Sequence, residues 1–217
     1  MNKGIIEGLV LIIPAFNEEA AIGGVVTSCR KMAEVIVVDD GSTDSTALVA
    51  ESFGAHVLRH QINLGYDGAL ESGLKEALKK GYQYAITLDG DGQHDVSCIR
   101  DIHKKLVSGA YIVCGLRDKK QRILEIIFGV VGKILFNVSD PLCGIKGYRL
   151  SKALFDGEFN TYKSTGTELL FKAKNKKLEI LEIAIKTQPR LSGVTRFGSG
   201  FVGNLKLAKS LILGLIN

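Results

Sequence analysis

Residues 87–95 read TLDGDGQHD and place three aspartates, a glutamine and a histidine within nine positions. Carboxylates packed this closely repel one another unless a cation sits among them. Asp89, Asp91 and Gln93 alternate onto one side of an extended turn. Hard oxygen donors in that pattern suit Mg2+ or Mn2+, with substrate phosphates completing an octahedron. A calcium loop of the EF-hand type is excluded. Counted from Asp89, its sixth and twelfth positions hold His94 and Arg100, where Gly and Glu are required. His94 reads as an outer group or a packing residue. The rival reading is a pair of acid–base carboxylates, Asp89 and Asp91.

Which elements would hold such a cluster? Residues 9–13, 35–38, 56–58, 84–88 and 111–114 are short, mostly apolar runs that read as buried strands. Between them, residues 18–32, 43–53, 68–80 and 96–108 carry helical spacing. This alternation predicts an α/β fold, a mostly parallel central sheet flanked by helices. After residue 118 the pattern becomes a long apolar helix, a Gly-rich loop, another helix, a strand over 178–187 and a final apolar helix.

The polar clusters fall at strand carboxyl ends. PAFNEE (14–19) follows the first strand, DDGSTDS (39–45) the second, HQINLGYDGA (60–69) the third and DGDGQHD (89–95) the fourth. Each has a bland account. Ser42 or Thr43 can cap a helix, Asn63 to Gly65 can form a turn, and Pro14 can end a strand. Four clusters on one edge of an open parallel sheet mark the crevice where such sheets bind ligands.

Composition agrees with an ordinary globular protein. The 217 residues suffice for one sizeable core, and 46% hydrophobic with 24% charged residues excludes a disordered chain. A net charge of +5 suits an anionic ligand or a membrane surface and is too scattered for nucleic acid. Cys29, Cys98, Cys114 and Cys143 show no CxxC pairing, so they read as reduced thiols in a cytoplasmic protein. The apolar start LVLIIPAF is too short for a signal peptide, and no run of 18 apolar residues predicts a spanning helix.

The motifs IIPAFNEE, VIVVDDGSTDST, NLGYDGAL, LDGDGQH, DPLCGIKGYR and RLSGVTR occur in this order. In them the chain resembles the family 2 glycosyltransferases of GT-A fold, and among these the polyprenyl-phosphate (dolichol-phosphate) mannosyl- and glucosyltransferases. The likeness runs from Leu9 to about Gly198. The first motif of haloacid-dehalogenase-type phosphatases is also similar to the Asp89–Asp91 stretch. That family expects Thr or Val at Gln93 and places the motif near the N-terminus.

The glycosyltransferase resemblance implies a role for each matching position. Pro14, Phe16, Glu18, Val38 and Asp40 would hold the base and ribose of a nucleotide sugar. Asp89, Asp91 and Gln93 would bind a metal bridging its diphosphate. Arg117 would lie near the phosphates, and Arg190 and Arg196 would grip donor or acceptor phosphate. Asp140 would belong to the acceptor loop, as a base if the acceptor is a hydroxyl. The expected activity is an inverting transfer from a UDP- or GDP-sugar to an acceptor, with polyprenyl (dolichyl) phosphate favoured. A non-catalytic nucleotide-sugar-binding protein is the alternative outside enzymes. Three positions depart from the family pattern: Gly90 for Ala, Asp67 for a small or basic residue, and Cys143 for Ser. Cys143 reads as a buried structural thiol, and His56, His60 and His103 carry no functional assignment.

One domain over 1–217 is expected. It divides into a nucleotide-sugar half (1–118), an acceptor half (119–198) and an apolar C-terminal helix (199–217). The apolar segments 122–136 and 201–216 would pack in the core, at a dimer contact or against a membrane interface. A peripheral place at the cytoplasmic face of a membrane would follow from the last. The sequence leaves the oligomeric state open.

Overall fold

The computed structural model describes residues 4–90, 96–118, 123–155 and 165–186. Among these residues the strands are β1 (Leu9–Ala15), β2 (Glu34–Asp39), β3 (His56–Arg59), β4 (Tyr84–Thr87), β5 (Ile112–Arg117), β6 (Lys146–Arg149) and β7 (Ile180–Ile185). The α-helices described are α1 (Glu19–Arg30), α2 (Thr46–Ser52), α3 (Gly65–Lys79), α4 (Ile99–Val107), α5 (Ile123–Phe136) and α6 (Thr165–Asn175). The strands form one sheet in the order β3-β2-β1-β4-β6-β5-β7. Four of its six pairings are parallel, and β6 runs antiparallel to both β4 and β5.

The centre of the sheet is apolar on both faces because helices cover both. All seven residues of β1 are buried. Leu9, Leu11 and Ile13 pack with Ile22, Val26, Ile99 and Ile102 of α1 and α4. Val10 and Ile12 face the other way, toward Leu70 and Leu74 of α3 and a layer continued by Tyr148 and Leu169. Burying one such aliphatic side chain contributes about 1.5–3 kcal/mol, which is why these runs sit at the middle of the sheet.

Three features depart from the sequence expectation. Strand β6 lies within the segment read as a Gly-rich loop. Its four residues KGYR carry no apolar alternation, yet the sheet buries Lys146, Gly147 and Tyr148 between β4 and β5. Helix α3 begins at Gly65, three residues before the expected 68, because Asp40 accepts hydrogen bonds from the Leu64 and Gly65 N–H groups at 2.9 and 2.8 Å. The cap thus comes largely from another loop, with Asn63 Oδ1 also accepting the Gly65 N–H at 3.1 Å. Helix α2 begins at Thr46 rather than 43, because residues 42–45 are engaged with the loop after β1.

Candidate active site

The loops after β1 and β2 are laced together. Asn17 takes a left-handed conformation (φ 54°), which Asn tolerates better than most residues. Its N–H donates to Ser42 Oγ at 2.9 Å, and its side-chain oxygen accepts from the Thr43 N–H at 2.9 Å. The exchange continues outward. Glu19 N–H donates to Asp44, Ser45 N–H donates to Glu19, and the buried Glu18 has its N–H on Thr46 Oγ1. At the base of these loops Pro14 and Val38 are partners across β1 and β2. Phe16 stands exposed at the rim.

Asp40 is buried beneath the loop after β3. Its Oδ1 lies 2.8 Å from His60 Nδ1, and His60 Nε2 lies 2.9 Å from Ser72 Oγ of α3. With the two N–H groups at the start of α3, both carboxylate oxygens are engaged within the protein. Asp40 therefore shapes this side of the crevice by fixing the 60–65 loop. His60, given no role from the sequence, is its partner. Gly41 takes φ 73°, and a Cβ there would come within 2.9 Å of the Ile62 main chain, so the Asp-Asp-Gly turn requires glycine.

Asp89 follows β4 at the same edge. A Cβ on Gly144 would lie 2.3 Å from Asp89 Oδ2, so the carboxylate rests directly against the main chain of the 140–145 loop. The Thr87 hydroxyl donates to the Gly144 carbonyl at 2.8 Å and holds that loop to β4. Next to Asp89, Gly90 backs onto the carbonyl of Pro14, 3.4 Å from where its Cβ would stand. One carboxylate in a glycine-walled cradle, followed by further oxygen donors in sequence, fits a hard divalent cation. Asp91 and Gln93 lie outside the described residues, as do Arg190 and Arg196. Among the described residues no three His, Cys, Asp or Glu side chains cluster as a metal site.

The opposite side of this edge is built from charges. Arg117 closes β5 and meets Asp140 at two points: Nε donates to Oδ2 at 2.7 Å and Nη2 to Oδ1 at 2.9 Å. Asp140 is 1% exposed. Lys146, also buried, donates from Nζ to the Cys143 carbonyl at 2.7 Å. Because β6 runs antiparallel, its first residue lies beside Thr87 at the same edge as the ends of β4 and β5. Burial pushes the Cys29 and Cys114 thiols up to about 12 and raises Cys143 as well. These thiols stay protonated and act as packing groups, in line with the reading of Cys143 as structural.

Asp67, one of the departures from the family pattern, joins the two sides. Burial raises its carboxyl to about 6, against main-chain hydrogen bonds from Thr165 and Gly166 and the nearby Lys146 charge. Thr165 Oγ1 donates to the Asp67 carbonyl at 3.1 Å. The start of α3 is thereby tied to the start of α6. The structure thus brings Pro14, Glu18, Val38, Asp40, Asp89, Arg117 and Asp140 to one edge. His60 and Lys146 have no sequence signal beyond their place in the motifs HQINLG and CGIKGYR.

A sequence model described as Glycosyl transferase family 2 matches residues 10–127, more than half of the chain. A UDP-N-acetylglucosamine–dolichyl-phosphate N-acetylglucosaminyltransferase of Methanococcus voltae is 29% identical over 216 residues, covering 82% of this chain and 85% of its own. A dolichyl-phosphate hexose transferase of Haloferax volcanii is 26% identical over 226 residues, covering 98% and 96%. Glucosyl-3-phosphoglycerate synthase from Mycobacterium tuberculosis, solved with Mn2+, UDP and glucosyl-3-phosphoglycerate, superposes with a TM-score of 0.75 at 22% identity. The superposition covers 96% of this chain and 78% of that one, and it shows a common fold.

Proposed function

The chain belongs to glycosyl transferase family 2, and from that premise we propose that it is a metal-dependent, inverting enzyme using a polyprenyl-phosphate acceptor. The donor is a UDP- or GDP-sugar. The observation that carries the acceptor choice is the two-point contact between Asp140 and Arg117. A hydroxyl acceptor needs a base within reach of its proton. Both oxygens of Asp140, the candidate base, already accept from a guanidinium. A phosphate acceptor is anionic at neutral pH and attacks without one. Arg117 then offers positive charge to a phosphate, and Asp140 fixes its direction.

Breaking the bond between the anomeric carbon and the nucleotide builds negative charge on the departing diphosphate. A divalent cation held by Asp89, Asp91 and Gln93 supplies charge neutralisation there when bound. Arg190 and Arg196, from the RLSGVTR motif, add cations from the C-terminal side. On the donor side Pro14, Phe16, Glu18 and Val38 enclose the base and ribose, and Asp40 braces the loop around them. Attack from the face opposite the nucleotide inverts the anomeric centre.

The exposed face of α5 supports a lipid-linked acceptor. Helix α5 connects the strand of Arg117 to the loop of Asp140. It exposes Ile127, Val130 and Ile134, the last at 78%, on one face with Lys133 nearby in sequence. An apolar stripe with a basic residue fits the interface of an anionic bilayer. The contact we propose is peripheral; among the described residues no helix is long and apolar enough to cross a membrane.

Thermal melting with UDP and GDP, with and without Mn2+, tests the reading. Nucleotide should raise Tm only with metal present, because ligand and metal bind as one unit. Equal stabilisation in EDTA counts against a metal-bridged diphosphate. Release of phosphate from simple esters would favour the Asp-x-Asp phosphatase. Metal-dependent nucleotide-sugar binding without turnover on any acceptor would favour the non-catalytic binding protein.

A further inference from the structure

Asp140 lies in a turn, outside any regular element, yet its carboxylate meets Arg117 in a fork geometry that tolerates little main-chain error. One side chain outside the turn accepts three hydrogen bonds from it. The Ser139 N–H donates to Glu182 Oε1 at 2.5 Å, the Asp140 N–H to the same oxygen at 3.1 Å, and Ser139 Oγ to Oε2 at 3.0 Å. Glu182 belongs to β7, where its register partner is Cys114 of β5, three residues before Arg117.

The placing is costly unless it serves something. The sequence ILEIAI of β7 is apolar on either side of Glu182, and the sheet half-buries it. A carboxylate on such a strand loses water and must be repaid by donors. Here the donors are the main chain on which Asp140 is mounted. Glu182 and Asp140 both act to raise the Cys114 thiol, which places two carboxylates around one buried position. The main-chain N–H groups and the Arg117 guanidinium keep them apart in function. One carboxylate anchors the loop and the other orients the arginine.

We propose that Glu182 is a positioning residue for the transfer reaction, holding the Ser139–Asp140 main chain so that Asp140 aims the Arg117 guanidinium at a phosphate. This rests on the proposed role of Arg117, so the test has one arm that does not depend on activity. In full-length 15N-labelled protein the Arg117 Nε–H should exchange slowly, protected by its bond to Asp140. Glu182→Ala and Glu182→Asp should both expose it to exchange. Aspartate keeps the charge and falls short of the loop, so it serves even if the alanine variant folds poorly. Glu182→Gln should preserve protection, since its amide oxygen still accepts the two N–H groups and the Ser139 hydroxyl can turn to accept from its nitrogen.

In the kinetic arm, kcat/KM for a polyprenyl phosphate should fall about ten- to a hundredfold in Glu182→Ala and Glu182→Asp, the range expected for lost hydrogen bonds to a charged group. Glu182→Gln should stay within about threefold. The Tm increase with UDP and Mn2+ should persist in all three. Unchanged Arg117 Nε–H protection in both Glu182→Ala and Glu182→Asp overturns the proposal. So does a loss in Glu182→Gln as large as in alanine, which would make charge rather than geometry the cause. If the wild-type protein transfers no sugar, the proposed function fails, and the exchange arm still decides whether Glu182 sets the arginine.

Discussion

The two sides of the crevice use their carboxylates differently. After β1 and β2, Glu19, Asp40 and Asp44 each accept a main-chain N–H from a neighbouring loop, and Asp39 accepts one from Ser42 within its own. Burial works to raise the Asp44 carboxyl, but hydrogen bonds from the Thr46 hydroxyl and main chain outweigh it and hold it low. These groups build the shape of a pocket. After β5, Asp140 instead meets a cation, and Lys146 lies buried two strands from Glu182. Here charge is retained where a charged substrate can compete for it. On the proposed function, the donor side would select by loop shape and the acceptor side would work by matched charge.

Breaking the charged side should cost most. Arg117→Ala leaves the Asp140 carboxylate buried without its cation, a loss of about 3–5 kcal/mol by comparison with other buried pairs. Urea unfolding should show it, and transfer activity should fall further than the stability loss explains. A variant as stable and active as the parent would mean that the pair matters to neither fold nor reaction.

On the loop side, Asp40→Ala removes a helix cap, leaves the Leu64 N–H without its acceptor and leaves the Gly65 N–H with Asn63 Oδ1 alone. The expected cost is about 1–2 kcal/mol, smaller than for Arg117→Ala. The Tm increase caused by nucleotide with metal should shrink, because the 60–65 loop loses its brace. Full retention of that increase in a destabilised protein would separate the loop from donor binding.

The smallest effect is expected at Asp67, where the two sides join. Its folded carboxyl stands near 6 against a usual 3.8, so the folded protein binds the extra proton between those values. Stability from this group is therefore greatest below pH 3.8 and declines as pH rises to about 6. Asp67→Asn should remove that decline and raise Tm at neutral pH relative to the parent, with the difference closing toward pH 4. A difference that does not vary with pH would show that Asp67 pays no burial cost.

Much of this was legible in the sequence, for a physical reason. Strands such as β1 and β2, buried on both faces, are continuous Val and Ile runs, and the polar residues that end them stand out against such runs. That places Asp40 and Asp89 at one edge from the pattern alone, whereas Arg117 is singled out only by the family resemblance. What escaped depends on partners distant in sequence. KGYR becomes β6 because β4 and β5 leave a gap of one strand between them. The start of α3 is set by Asp40 from another loop, and Glu182 looks like a stray charge in an apolar strand until the 139–140 main chain is seen against it. No local pattern encodes those contacts.

The most direct test of the account is transfer itself. A radiolabelled UDP- or GDP-sugar is incubated with polyprenyl phosphate and Mn2+, and label is counted in the lipid phase for the parent chain and for Asp91→Asn. Label should enter the lipid phase with the parent and not in EDTA, and Asp91→Asn should lose roughly several kcal/mol of transition-state stabilisation. Transfer that continues undiminished in EDTA and in Asp91→Asn would contradict it, as would label that enters no acceptor with any donor.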